Sequence, residues 1–187
     1  MPSAPNSFCS IIPTFKVNDW DKANPILDEL VEATRKETGV IYYGFVAHKE
    51  TNRTVCREAY VDGDAMNKHL ENVGPLLGKL LDGPAELVSM HVQGPEEEII
   101  KVKAGMDPLG ATYTYVYPSG FTNMIIGTED LPHTFCTIYP TMTVLDGAKV
   151  ERELIPALIE GTKSEKGCVF YGFTLNKEDN LLVCREA

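Results

Sequence analysis

Apolar and polar positions set the first element. Residues 8–17 (Phe-Cys-Ser-Ile-Ile-Pro-Thr-Phe-Lys-Val) are rich in β-branched and aromatic side chains and read as a strand. The period then changes. Trp20, Ala23, Leu27, Leu30, Val31 and Thr34 fall on one face of a helix that Asp19 is placed to cap. Pro25 suits a first turn, so this helix is expected to begin near Asn24 and to end at Thr38-Gly39. Val40–His48 and residues 54–61 read as two strands, joined into a hairpin by the polar turn Lys49-Glu50-Thr51-Asn52. After Asp62-Gly63-Asp64, the positions Met66, His69, Leu70, Val73, Leu77 and Leu80 share a second helical face, which Gly74-Pro75 is expected to break or bend. Residues 86–93 form a fourth strand. Residues 95–104 form a short helix with Glu96, Glu97 and Glu98 at its start and Lys101 and Lys103 at its end, the order that suits the helix dipole. Residues 111–117 make a last strand before a loop over 118–133.

Self-comparison shows that much of this pattern is written twice. Residues 8–17 match 135–144, and Gly-Val-Ile-Tyr-Tyr-Gly-Phe at 39–45 matches Gly-Cys-Val-Phe-Tyr-Gly-Phe at 167–173. Lys49-Glu-Thr-Asn matches Lys177-Glu-Asp-Asn, and Val55-Cys-Arg-Glu-Ala matches Val183-Cys-Arg-Glu-Ala. About half the aligned positions are identical, with one single-residue shift. The chain therefore divides into a complete module over 1–120, a linker over 121–133 and a second, C-terminally truncated module over 134–187. Pro156 sits deeper in its helix than Pro25 does, which predicts a kink or a later start there. The sister strand continues past Ala59, so Ala187 is not expected to be the natural terminus.

The order β-α-β-β-α-β is the ferredoxin-like arrangement, an α+β fold with helices on one face of an antiparallel sheet. An apolar sheet face needs cover, from the sister module or from another chain. Truncation leaves the second module with apolar surface of its own, so self-association is expected.

Charge and composition narrow the partners. The 187 residues carry a formal charge of -10, which argues against nucleic acid or an anionic membrane, since both need a basic face. No apolar run is long enough to cross a bilayer, and residues 1–6 carry no signal pattern, so no membrane insertion is expected. The five cysteines include no CxxC pair, and four of them, Cys9, Cys56, Cys136 and Cys184, fall in apolar, strand-like runs. They read as reduced core residues of a cytoplasmic protein. His48, His91 and His133 have no spacing that points to a metal site.

Arg57-Glu58-Ala59-Tyr60 followed by Asn67-Lys68-His69-Leu70 resembles the antibiotic-biosynthesis-monooxygenase family of dimeric α/β barrels. The stretch from 94–98 through 109–110 is similar to the tail of quinol-monooxygenase-like members. The resemblance covers nearly all of the first module and the second as far as Ala187. It implies sheets packed as a dimeric α/β barrel, and a cofactor-independent oxygenase acting on a quinol or another electron-rich aromatic. His69 would then be the catalytic base, since imidazole titrates near neutral pH, and Glu58 would be catalytic by orienting or charge-pairing it. Tyr60, Tyr43 and Phe45 would line the substrate pocket. No cofactor and no metal are implied. No tryptophan accompanies His69, which disfavours the haem-degrading subtype.

Plainer readings stand beside these. His69 lies on the apolar stripe of its helix, where a satisfied core histidine is the plainer reading. Glu58 can pair with Arg57 or Lys68. Tyr43 and Phe45 recur in the second copy as packing residues do, and Trp20 reads as core. The barrel can also be a non-catalytic ligand-binding or assembly module, because one fold hosts many functions.

Overall fold

The computed structural model describes residues 7–122 and 135–187. Most of the expected linker, and His133, lie outside the described residues. The chain clusters into two compact units, one of residues 8–92 and 97–112, the other centred on 113–187 with residues 93–96.

In the first unit the element order is β1 (Cys9–Val17), α1 (Trp20–Thr34), β2 (Val40–His48), β3 (Arg53–Tyr60), α2 (Gly63–Leu81), β4 (Ala85–Gly94) and α3 (Glu96–Met106). The strands run in the order β2-β3-β1-β4. β3 pairs antiparallel with both neighbours, and its register sets Tyr43 opposite Glu58 and Cys9 opposite Tyr60. Because side chains alternate along a strand, Cys56, Glu58 and Tyr60 share one face with Tyr43 and Phe45. On that face Phe15, Val17, Ala23, Leu27 and Leu30 pack with Val73 and Leu80 of α2. Each Phe, Val or Leu side chain so buried contributes about 1.5–3 kcal/mol.

Both proline expectations for this unit need correction. Asp19 caps α1 through Asp21 and Lys22 backbone N–H groups, each at 3.1 Å, so the helix begins at Trp20 and carries Pro25 inside it. Likewise α2 runs unbroken through Gly74-Pro75 to Leu81. A proline forfeits one backbone hydrogen bond, and the apolar stripe on either side of it, packed on the core, outweighs that loss. The metal-like trio Asp62, Asp64 and Glu98 is already engaged. Asp62 caps Ala65, Glu98 accepts from Gly63, and Lys101 bridges Asp64 at 2.9 Å and Glu98 at 2.8 Å.

The second unit holds β5 (Thr112–Thr122, from Tyr113), β6 (Thr141–Thr143), α4 (Gly147–Lys149), a π turn over Val150–Leu154, α5 (Ile155–Thr162), β7 (Phe170–Asn176) and β8 (Leu181–Glu186). The loop expected from Pro118 is instead strand, because β5 pairs with β7 from Tyr115 to Thr122. A register shift between Val116 and Gly120 accommodates the proline, which has no N–H to offer. The first strand of the copy, expected over 135–144, shrinks to three residues plus an isolated bridge between Ile138 and Glu186. Its counterpart β1 lies between two strands, whereas β6 pairs with β8 alone at the edge of β5-β7-β8-β6. Cys136 accordingly lies outside any strand and is exposed, contrary to its core assignment.

The disturbance expected around Pro156 takes the form of the π turn just before it. The repeat offset is 135 − 8 = 127 before this helix and 167 − 39 = 128 after it, so the second copy has one extra residue between. A π turn is how a helix absorbs a single insertion. Elsewhere the copies agree closely. Asn52 and Asn180 both turn their hairpins with positive φ, at 51° and 52°, and Gly39 and Gly167 both enter their strands at 92° and 96°. Among the described residues, no helix is long and apolar enough to cross a membrane.

The two glycines give a test of what α2 does. A Cβ at Gly39 would lie 2.8 Å from the Ala65 Cβ on α2, whereas one at Gly167 would meet nothing within 4 Å. Alanine at either position is expected to cost about 1–2 kcal/mol for left-handed backbone, and Gly39→Ala more because α2 must shift. Urea denaturation followed by circular dichroism, which reads both units, measures this; equal losses would refute it.

Candidate functional site

The helix-facing side of β2 and β3 brings Tyr43, Phe45, Glu58, Tyr60 and His69 together. His69 projects from α2 onto the Glu58 and Tyr60 side of β3. Its Nε2 lies 3.3 Å from Glu58 Oε2, and its Nδ1 lies 3.0 and 3.2 Å from the two oxygens of Glu37. The Tyr60 hydroxyl donates to the same Glu58 oxygen. The Tyr43 and Tyr60 rings each pack 5.1 Å from the imidazole, and Phe45 meets Tyr43 edge-on at 5.6 Å. His69 is 2% exposed and Glu58 4%. Glu58 therefore pairs with His69 and Tyr60 rather than with Arg57 or Lys68.

Glu37 and its support are the part that pattern reading missed. It sits in the turn after α1, outside any amphipathic stripe, and Asn72 of α2 donates to it at 2.6 Å. One signal was available: Glu37 recurs as Glu165 at the same offset as the neighbouring glycines. Trp20, by contrast, stands apart, donating from its indole N–H to Asn52 at 3.0 Å with Lys49 over its ring.

Electrostatics sort these groups by what they can do near neutral pH. Burial drives the Tyr43 phenol far above its ordinary range, and the Glu58 charge adds to this. Burial and Glu58 likewise hold the Tyr60 phenol and the Cys56 thiol protonated. For His69, burial favours the neutral ring, but the hydrogen bonds and charges of Glu58 and Glu37 outweigh it and raise its pKa. Geometry agrees, since only the imidazolium donates from both nitrogens at once. The titrating element is thus a histidine held between two carboxylates in a wall of un-ionised phenols. His91 is the opposite case, where burial alone pushes the ring down to about 4.

No protein-family model matches the chain, and no curated protein matches its sequence. Among solved structures, MupZ from Pseudomonas fluorescens is 26% identical with a TM-score of 0.55, covering 60% of this chain and 92% of its own. The Fusobacterium nucleatum protein FN1347, provisionally named a monooxygenase, matches 97% of this chain and 75% of its own at 13% identity and a TM-score of 0.58. The fold is antibiotic-biosynthesis-monooxygenase-like. SnoaB, a cofactor-independent oxygenase from Streptomyces nogalater, aligns more distantly: 13% identity over 46% of this chain and 90% of its own, with a TM-score of 0.42.

Folding raises the His69 pKa above 6.5. Its contribution to stability is therefore complete below about pH 6.5 and is lost as pH rises through the folded-state value. Imidazole NMR titration is expected to place His69 above 6.5, and Glu37→Gln to bring it down. A ring titrating below 6.5 in the intact protein would show that burial, not the carboxylates, governs it.

Proposed function

We propose that this chain is a cofactor-independent monooxygenase acting on a quinol or related electron-rich aromatic, with its site in the first unit. The observation that carries the reading is His69 fixed between Glu37 and Glu58 beside Tyr60. In such a site the phenolic substrate is itself the reductant of oxygen, so the protein's task is to remove a proton and exclude water. Neutral His69 takes the phenolic proton. The imidazolium so formed is stabilised by Glu37 and oriented by Glu58, which is held by the Tyr60 hydroxyl. Tyr43 and Phe45, the half-buried aromatics of β2, form the flank along which a flat ring can approach. The FN1347 name is in keeping with this chemistry.

A second reading, a non-catalytic ligand-binding or assembly module, draws support from how completely His69 is enclosed. One experiment separates the two. Oxygen uptake is followed with an electrode across a panel of quinols and anthrones, with metal and flavin content assayed beforehand. His69→Ala is expected to lower the rate roughly 10²–10⁴-fold, Glu58→Gln to lower it less, and Trp20→Phe to leave it nearly unchanged. Because the base must be neutral, wild-type rate should rise with pH through a pKa above 6.5. Inactive wild-type protein, or full activity in His69→Ala, would transfer the case to the binding reading.

A further inference from the structure

We propose that Glu37 is the proton outlet of the buried histidine cluster, the group through which His69 exchanges protons with water. The two sides of the imidazole are built differently. On the Nε2 side Glu58 stands at 3.3 Å, its side chain 5% exposed. Behind it lies the Tyr60 hydroxyl, which donates to the same oxygen and belongs to a residue with 0% exposure. That side ends in the core. On the Nδ1 side both oxygens of Glu37 lie within hydrogen-bond distance, at 3.2 and 3.0 Å, and its side chain is 12% exposed. Glu37 belongs to the turn after α1, between the exposed residues Lys36 and Thr38, and its backbone N–H closes that turn on the Thr34 carbonyl at 2.9 Å. Asn72, itself exposed on α2, donates to Glu37 Oε1 at 2.6 Å. One carboxylate thus touches the imidazole and also reaches solvent.

The other neighbours of the ring offer no such path. Tyr43 from β2 and Tyr60 from β3 pack against the imidazole, and burial holds both phenols protonated. His69 itself is almost wholly enclosed. A proton leaving Nδ1 therefore passes to a Glu37 oxygen: the N–H bond breaks, an O–H bond forms, and a neutral ring faces a neutral carboxyl. The carboxyl gives that proton to water or to a buffer base and recovers its charge. Donor and acceptor already stand at hydrogen-bond distance, so the transfer needs no rearrangement. Asn72 is a positioning residue here, since it fixes the Glu37 carboxylate against the ring. The use of this path in turnover rests on the reading of His69 as the base. Each cycle then loads the ring with one phenolic proton, and Glu37 clears it.

The test needs no substrate. Exchange of the His69 ring protons with water is followed by NMR on the full chain with isotope-labelled histidine. All proteins are compared at one pH below each of their His69 pKa values, so that the ring carries both protons throughout. Glu37→Gln keeps an oxygen that accepts from Nδ1–H but cannot carry a proton onward. It is expected to slow Nδ1–H exchange roughly tenfold or more. Glu37→Asp is expected to restore much of the rate, and Glu58→Gln to leave it nearly unchanged. A carboxylate that merely holds the ring in place would be replaced by glutamine without this loss. Equal Nδ1–H exchange in wild type and Glu37→Gln would overturn the proposal, as would equal slowing by Glu58→Gln. If fast exchange hides the wild-type signal, Glu37→Gln should bring it into view, and a signal hidden in both would also overturn it. In turnover, Glu37→Gln is expected to lower kcat with little change in KM, and to make the rate rise with added buffer base. Slowed exchange in a chain without oxygen uptake would strike the oxygenase reading and leave the outlet standing; unchanged exchange in an active chain would do the reverse.

Discussion

The contact that organises the first unit is the seating of α2 on α1 and β3, because one helix performs two tasks at once. Its C-terminal half lays Val73 and Leu80 over Phe15, Val17 and Leu30, and so closes the apolar core. Its N-terminal half carries His69 into the gap between Glu37 and Glu58. Neither task is separable from the other, since the rotation of the helix that buries Val73 and Leu80 also aims the imidazole. The apolar stripe is the stronger term and fixes the geometry; the ionic cluster is held in a position it does not itself determine.

That order of causes explains how so polar a group survives in a core. A buried charge costs several kcal/mol unless it is paired and hydrogen-bonded. Here each partner is satisfied in turn. Asn72 donates to Glu37, Glu37 and Glu58 flank both ring nitrogens, and the Tyr60 hydroxyl donates to Glu58. Removal of one member strands the others, so the cluster is cooperative, and the loss of a single partner from such a network typically costs about 3–5 kcal/mol. The phenols and the Cys56 thiol around it stay un-ionised, which leaves His69 as the group of that wall poised to change charge near neutral pH.

The sequence made some of this legible and concealed the rest for identifiable reasons. Residues on a repeating face were visible: the stripe of α2, the alternation that puts Glu58 and Tyr60 together on β3, and the Asp19 cap. Glu37 was not, because it lies in an irregular turn where no period applies. Pro25 was read as marking a helix start and Pro75 as a break or bend, because local rules price a lost hydrogen bond without the tertiary packing that repays it. β6 was read too long because a strand's extent depends on neighbours on both sides, and sequence similarity to β1 does not reveal that one neighbour is lacking.

The duplication turns that last failure into information. The two copies share hairpin, glycine entry and helix cap, so whatever differs between them must arise from context or from the few divergent positions. The one-residue insertion falls in the helix that holds the π turn, and beyond it Leu158 stands at the sequence position of Leu30. The shortening of β6, the exposure of Leu158 and the open space beside Gly167 have another source, because the residues concerned match partners that are buried or paired in the first unit. Leu30 and Leu158 are the same residue type at equivalent helix positions, yet one is sealed and the other is half in water. Their difference is the absence of a covering helix among the described residues. An exposed leucine alone would be unremarkable on any soluble surface. Aligned with a buried twin in the same chain, it marks the surface that folding of the described residues leaves unfinished.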